Sequence, residues 1–122
     1  MAEVVKRALQ AFTPTKVKIS GAAIDVSPQH VLALSLALHE LATNATKYGA
    51  LSCSEGCVSV RWRVQEGMLH LDWEESGGPP VVPPTRKGFG SRLLQELVRD
   101  LDGDTKFDYD AAGVRCTITA AL

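Results

Sequence analysis

The 122-residue chain has no surplus of charge of either sign: 13 Lys and Arg stand against 14 Asp and Glu, for a formal net charge of −1. It therefore offers neither a basic surface for gripping a nucleic-acid backbone nor an acidic tail. No apolar run approaches the roughly 20 residues that span a bilayer, so direct membrane insertion is not expected. The N-terminal stretch MAEVVKRALQAF is amphipathic and charged, unlike a signal peptide. Cysteine is sparse and odd in number (Cys53, Cys57 and Cys116). Cys53 and Cys57 flank a Ser-Glu-Gly turn without the paired Cys and His groups of a zinc site. Reduced thiols and a cytoplasmic chain are the expectation. Internal repeats and low-complexity tracts are also missing.

What is present suits a single domain covering residues 1–122. Hydrophobic residues make up 45%, and a chain this long buries about two-thirds of its unfolded surface, enough for a core without disulfides. A short helix over 3–12 is expected to stop at Thr13-Pro14, since proline disfavours helix in the residue before it. Lys16 to Ser20 alternates, with Val17 and Ile19 on one face, as a strand does. Ser27 is a plausible cap for a helix with Pro28 in its first turn, running to about Tyr48 and ending at Gly49. Two alternating stretches, Val58–Gln65 and Met68–Glu75, are joined by Glu66-Gly67. A two-residue turn then sets Val64 against Leu69, Trp62 against Leu71, Val60 against Trp73 and Val58 against Glu75 on the inward face, and Arg61 against Asp72 on the outward one. The Gly- and Pro-rich residues 76–90 read as a loop. Leu93, Leu94, Leu97, Val98 and Leu101 then recur at helical spacing, with Gly103 as the stop, before a hairpin of Thr105–Tyr109 and Val114–Ala120. The order predicts an α+β fold, a two-layer sandwich with a mixed sheet under the helices.

Three features could carry chemistry. At about 100° per residue, Lys47 lies about 20° and Asn44 about 40° from Glu40, so one narrow helix face holds a carboxylate, an amide and an ammonium. Leu34, Leu38, Leu41 and Ala45 form a separate apolar stripe; a solvated polar face is the ordinary reading of the first set. Second, Glu75 points inward at the end of its strand, where a carboxylate is costly unless hydrogen-bonded or at an open edge. The following Gly77-Gly78 lets backbone approach a ligand, and the pair suits recognition of an exocyclic amino group such as adenine N6; a frayed strand end is the alternative. Third, Gly88-Phe89-Gly90 opens the Leu-rich helix, whose free amides attract anions, with Arg86 and Lys87 just upstream. This is neither a Rossmann nor a Walker loop, because no strand precedes it and the Gly-Lys-Ser/Thr ending is missing.

Together these blocks carry a family resemblance. HELATNATKYGALS resembles the N box of histidine-kinase ATP-binding domains, within the wider superfamily that includes gyrase and MutL. The pair His39-Glu40 with Trp73-Glu74-Glu75 looks like the HWE subfamily of bacterial sensor kinases. WEESGGPPV and RKGFGSRLL resemble that family's two glycine boxes, in order, and the likeness as a whole extends from about Val17 to the C-terminus. The resemblance implies the Bergerat fold and binding of ATP with Mg²⁺. By it, Asn44 would ligate Mg²⁺, Glu40 would orient the ion's water and Lys47 would meet phosphate oxygens. Tyr48 would line the pocket, and Glu75, in place of the more usual aspartate, would accept from adenine N6. Gly77 and Gly78 would give close backbone approach, and Arg86, Lys87, Gly88, Phe89 and Gly90 would surround the phosphates. His39, about 100° from Glu40 around the helix, either packs structurally or tunes the nucleotide site. His30 and His70 look like surface positions. The lid between Gly78 and Gly88 is short, and Pro79, Pro80, Pro83 and Pro84 stiffen it.

The resemblance further implies a transferase that passes the ATP γ-phosphate to a histidine on an adjoining dimerisation domain and thence to a response regulator. No counterpart of that helical domain is seen here, so the chain looks like the catalytic piece of a larger sensor kinase, with little autophosphorylation of its own. Two rivals are a protein-docking module of the same fold with weak nucleotide binding and an anti-sigma-factor-like serine kinase.

Overall fold

A computed structural model describes residues 1–10, 16–80, 89–110 and 112–122. The chain runs α1 (Ala2–Leu9), β1 (Val17–Gly21), α2 (Pro28–Tyr48), a single 3-10 turn (Ala50–Ser52), β2 (Cys57–Gln65), β3 (Met68–Ser76), α3 (Phe89–Arg99), β4 (Asp104–Asp110) and β5 (Gly113–Ala121). The strands form one sheet in the order β1-β2-β3-β5-β4, parallel at β1–β2 and antiparallel elsewhere. This is the mixed sheet and two-layer α+β sandwich expected.

Periodicity explains each layer. Every second residue of β2 and β3 faces the helices, and Val58, Val60, Trp62, Leu69, Leu71 and Trp73 are buried there. The register is the expected one, from Val64 opposite Leu69 to Val58 opposite Glu75. Glu66 (φ 53) and Gly67 (φ 75) both take positive φ, the type I′ signature of a two-residue hairpin. Along α2, Leu34, Leu38, Leu41 and Ala45 are buried, joined by Ala33, Ala37 and Ala42. In α1, Val5 and Leu9, one turn apart, are buried and complete the same core. Both α1 and α3 pack against α2.

Three local expectations need correction. Helix α1 ends at Leu9 and not at 12; Thr13-Pro14 lies outside the described residues. Helix α2 does start on Ser27, whose Oγ accepts from His30 N–H, and does end at Gly49. Gly49, however, has φ −120 and is not left-handed. Its amide still reaches Ala45 O at 3.0 Å, and glycine is needed for space, as described below. At the end of α3, Asp102 (φ 52) takes the left-handed position, while the Gly103 amide closes back on Val98 O at 3.1 Å. A Cβ on Gly103 would stand 1.8 Å from Thr119 O, so that glycine serves the contact with β5.

His30 is also more than a surface residue. Half-buried, its Nε2 donates to Ala121 O at 2.6 Å and its Nδ1 meets Ser27 Oγ, tying the start of α2 to the last strand. His70 is half-buried as well. On the outward sheet face Arg61 stands opposite Asp72, yet its ion pair goes diagonally to Glu74 at 3.4 Å. Glu74 also holds Arg115 at 3.1 Å, while Asp72 accepts from Thr117 Oγ1 at 3.0 Å.

Candidate functional site

The polar face of α2 is built as expected. Glu40 and Asn44 are half-buried, while Lys47 is exposed. Among the described residues no hydrogen bond or ion pair engages any of the three side chains. Two neighbouring hydroxyls are spent on the helix itself: Thr43 and Thr46 each donate to the carbonyl four residues back, His39 O and Ala42 O, at 2.8 Å. His39 is exposed, and Tyr48 is 76% exposed.

Glu75 is the unusual residue. It is buried, 6% exposed, and it is the single buried polar or charged residue among those described. A carboxylate in that position needs donors, and it has two from within the chain. The Ala50 amide donates to Oε1 at 2.9 Å, and the Trp73 indole Nε1 donates to Oε2 at 3.0 Å. The frayed-end reading is therefore wrong: the end of β3 is locked to the turn that follows α2. Neither donor is among the residues expected at the site. Trp73 was findable, because it lies two residues before Glu75 and so shares its strand face. Ala50, 25 residues earlier, was not.

Glycines make this closeness possible. A Cβ on Gly49 would lie 2.2 Å from Glu75 Oε1. One on Gly56 would lie 1.7 Å from Ala50 O, and one on Gly78 would lie 2.7 Å from Ala50 Cα. Gly77 has φ 71, and a Cβ there would come 2.4 Å from Glu55 O. Gly77 and Gly78 thus seat the end of β3 against residues 50–56, a packing role the sequence reading did not foresee. The three cysteines are free. Two of them border this seam, with Cys53 Sγ 3.5 Å from Gly77 O and Cys57 Sγ 3.0 Å from Ser76 Oγ. Cys116 is buried; burial, and then the Asp72 carboxylate, push its thiol up to about 12.

The structure thus brings Glu75 and Gly78 against the end of the helix that carries Glu40, Asn44 and Lys47, with Gly77 against Glu55 and Gly56. Of the glycine block after the lid, Phe89 and Gly90 open α3; Arg86, Lys87 and Gly88 lie outside the described residues. One concavity of about 530 Å³ lies elsewhere, on the outward sheet face, lined by residues including Arg61, Arg63, Asp72, Glu74 and Arg115. Arg61 and Arg115 pair with Glu74 there and Asp72 accepts from Thr117; of the groups that hold Glu75, only Trp73 also borders it. Among the described residues no three His, Cys, Asp or Glu side chains cluster to hold a metal ion, and no helix is long and apolar enough to cross a membrane.

Comparison with known proteins gives this arrangement its context. No protein-family model matches the chain. By sequence it is 44% identical over 107 residues to "Blue-light-activated histidine kinase 1" of Erythrobacter litoralis, a match covering 85% of this chain. A relative of the same description from Brucella ovis is 38% identical over 128 residues, covering 98%. The chain spans only 30% and 26% of those two relatives' lengths. By structure it matches the catalytic domain of the histidine kinase ThkA with a TM-score of 0.73 at 14% identity, covering 98% of this chain and 90% of that one. That likeness speaks for the fold alone. The fold comes from the structural match and the kinship from the sequence match: this chain is related in sequence to a part of the histidine kinases and has the fold of a histidine-kinase catalytic domain.

Proposed function

We propose that this domain binds ATP with Mg²⁺ and serves as the catalytic part of a cytoplasmic sensor kinase of the HWE type. In the intact protein it would present the γ-phosphate to a histidine on a separate dimerisation domain, for onward transfer to a response regulator. The observation that carries the reading is Glu75: a buried carboxylate with both oxygens already oriented, at the end of the helix whose Glu40, Asn44 and Lys47 have no partner among the described residues.

The chemistry asked of such a domain is modest. Phosphoryl transfer breaks the bond from the γ-phosphorus to the ADP oxygen and forms one to an imidazole nitrogen. It depends on positioning and charge neutralisation more than on a protein nucleophile. Asn44 would supply an amide oxygen to Mg²⁺, and Glu40 would hold a water of its shell. This sparse donor set fits an ion that keeps several waters and completes its shell with phosphates. Bound there, the ion would neutralise charge on the phosphate oxygens. Lys47 adds a point charge for the same oxygens. Each ionised oxygen of Glu75 retains a lone pair beyond the one its internal donor uses, so the carboxylate can still accept from an adenine amino group. Tyr48 would cover the nucleotide from the helix end. Phe89 and Gly90 would offer amides at the start of α3, with Arg86, Lys87 and Gly88 just before them. His39 remains a candidate for tuning the site from the adjacent face of α2.

Calorimetric titration of Mg-ATP into the wild-type domain, Asn44→Ala and Glu75→Ala tests the reading. Micromolar binding by the wild type, about −8 kcal/mol, should disappear without Asn44 and lose its preference for adenine without Glu75. A folded wild type that binds no ATP would defeat the proposal.

A further inference from the structure

Taking Glu75 as the base acceptor, we propose that Trp73 is a positioning residue for base selection: its indole N–H, together with the Ala50 amide, fixes the plane of the Glu75 carboxylate so that its remaining lone pairs are aimed before any nucleotide arrives. The inference rests on the nucleotide reading above and adds to it a residue that touches no ligand.

The geometry supports it on three counts. Trp73 is 1% exposed and the largest of the fully buried side chains, so its ring cannot swing. Its Nε1 is spent on Glu75 Oε2 at 3.0 Å, while Oε1 is held independently at 2.9 Å by Ala50. Two donors on two different oxygens define the carboxylate's rotation about its last bond, which one donor alone does not. Gly49 closes the remaining side, since a Cβ there would stand 2.2 Å from Oε1. A second tryptophan provides an internal contrast. Trp62 is buried on the same sheet face, but its Nε1 donates at 2.8 Å to Ala22 O, away from Glu75.

An oriented carboxylate accepts from the adenine amino group, gains nothing from purine riboside, which lacks that group, and repels the O6 acceptor of guanine. Removing the indole donor should therefore erode selectivity and leave phosphate binding alone. The test measures Kd for ATP and for purine riboside triphosphate with three replacements: Trp73→Phe, 3-benzothienylalanine at position 73, and Trp62→Phe. The benzothienyl residue keeps the ring's shape and deletes only the donor, so it answers the question even if Trp73→Phe folds poorly.

Both changes at 73 should reduce the preference for ATP about tenfold. Affinity for purine riboside triphosphate should move by less than about twofold, and Trp62→Phe should leave the ratio at its wild-type value. An unchanged ratio with the benzothienyl residue, or equal loss of affinity for both nucleotides, would overturn the proposal and leave Trp73 a packing residue. A wild type that binds both nucleotides equally would overturn it too. A wild type that binds neither would instead refute the nucleotide reading on which it rests.

Discussion

Replacing Gly49 with alanine should break the lock between α2 and β3, and the structure says by how much. Gly49 has φ −120, where alanine is under no left-handed strain. The new methyl carbon would stand 2.2 Å from Glu75 Oε1 and 3.2 Å from Ala45 Cα. The helix backbone needs to give only a few tenths of an ångström, but the carboxylate must leave, and the buried Ala50 amide then loses its acceptor. Losing a hydrogen bond to a charged group costs about 1.5–3 kcal/mol, so Gly49→Ala should destabilise the domain by about 2 kcal/mol. The assay is urea unfolding followed by tryptophan fluorescence, read as midpoint and slope, in a double-mutant cycle with Glu75→Ala. With the carboxylate gone, Gly49→Ala should cost less than about 1 kcal/mol, giving a coupling of about 1 kcal/mol or more. The same penalty in both backgrounds would refute the reasoning, because the clash would then lie with the helix and not with Glu75.

Three further outcomes follow from the same structure. Cys116 keeps its proton in the fold up to about 12, against an ordinary value of 9.0, so between those values the unfolded chain alone is ionised. Stability should be unaffected by this thiol below pH 9.0 and should then fall as pH rises, by about 1.4 kcal/mol per unit. Cys116→Ala should flatten that slope in urea titrations at stepped alkaline pH. Gly56→Ala should be far more damaging than Gly49→Ala, since its Cβ would lie 1.7 Å from the backbone oxygen of Ala50, which cannot swing aside. A loss of about 3 kcal/mol or more is expected by urea unfolding. Glu74→Gln should change stability by less than about 1 kcal/mol and ATP affinity not at all, because its Arg61 and Arg115 partners are more than 60% exposed. This variant separates the two glutamates of the Trp-Glu-Glu run.

Much of the architecture was legible in the sequence because it rests on neighbours. The span of α2, its Ser27 cap and its buried leucine stripe follow from a period of 3.6 and from a hydroxyl three residues from its donor. The β2–β3 register follows from one turn and strict alternation, which also placed Glu75 on the inward face. The co-facing of Glu40, Asn44 and Lys47 is helical arithmetic. Tertiary structure decided the rest, where two distant segments had to meet. Only the packed fold shows that Glu75 is held by Ala50, that His30 reaches Ala121, and that Arg61 prefers Glu74 to the Asp72 opposite it. The glycines divide the same way: Gly67 is explained by its own φ, whereas Gly49, Gly56, Gly78 and Gly103 are explained by what a Cβ would strike on another segment. Local rules reach a few residues along the chain, and a steric or hydrogen-bonding partner many residues away exists only once the sheet and helices have closed around it.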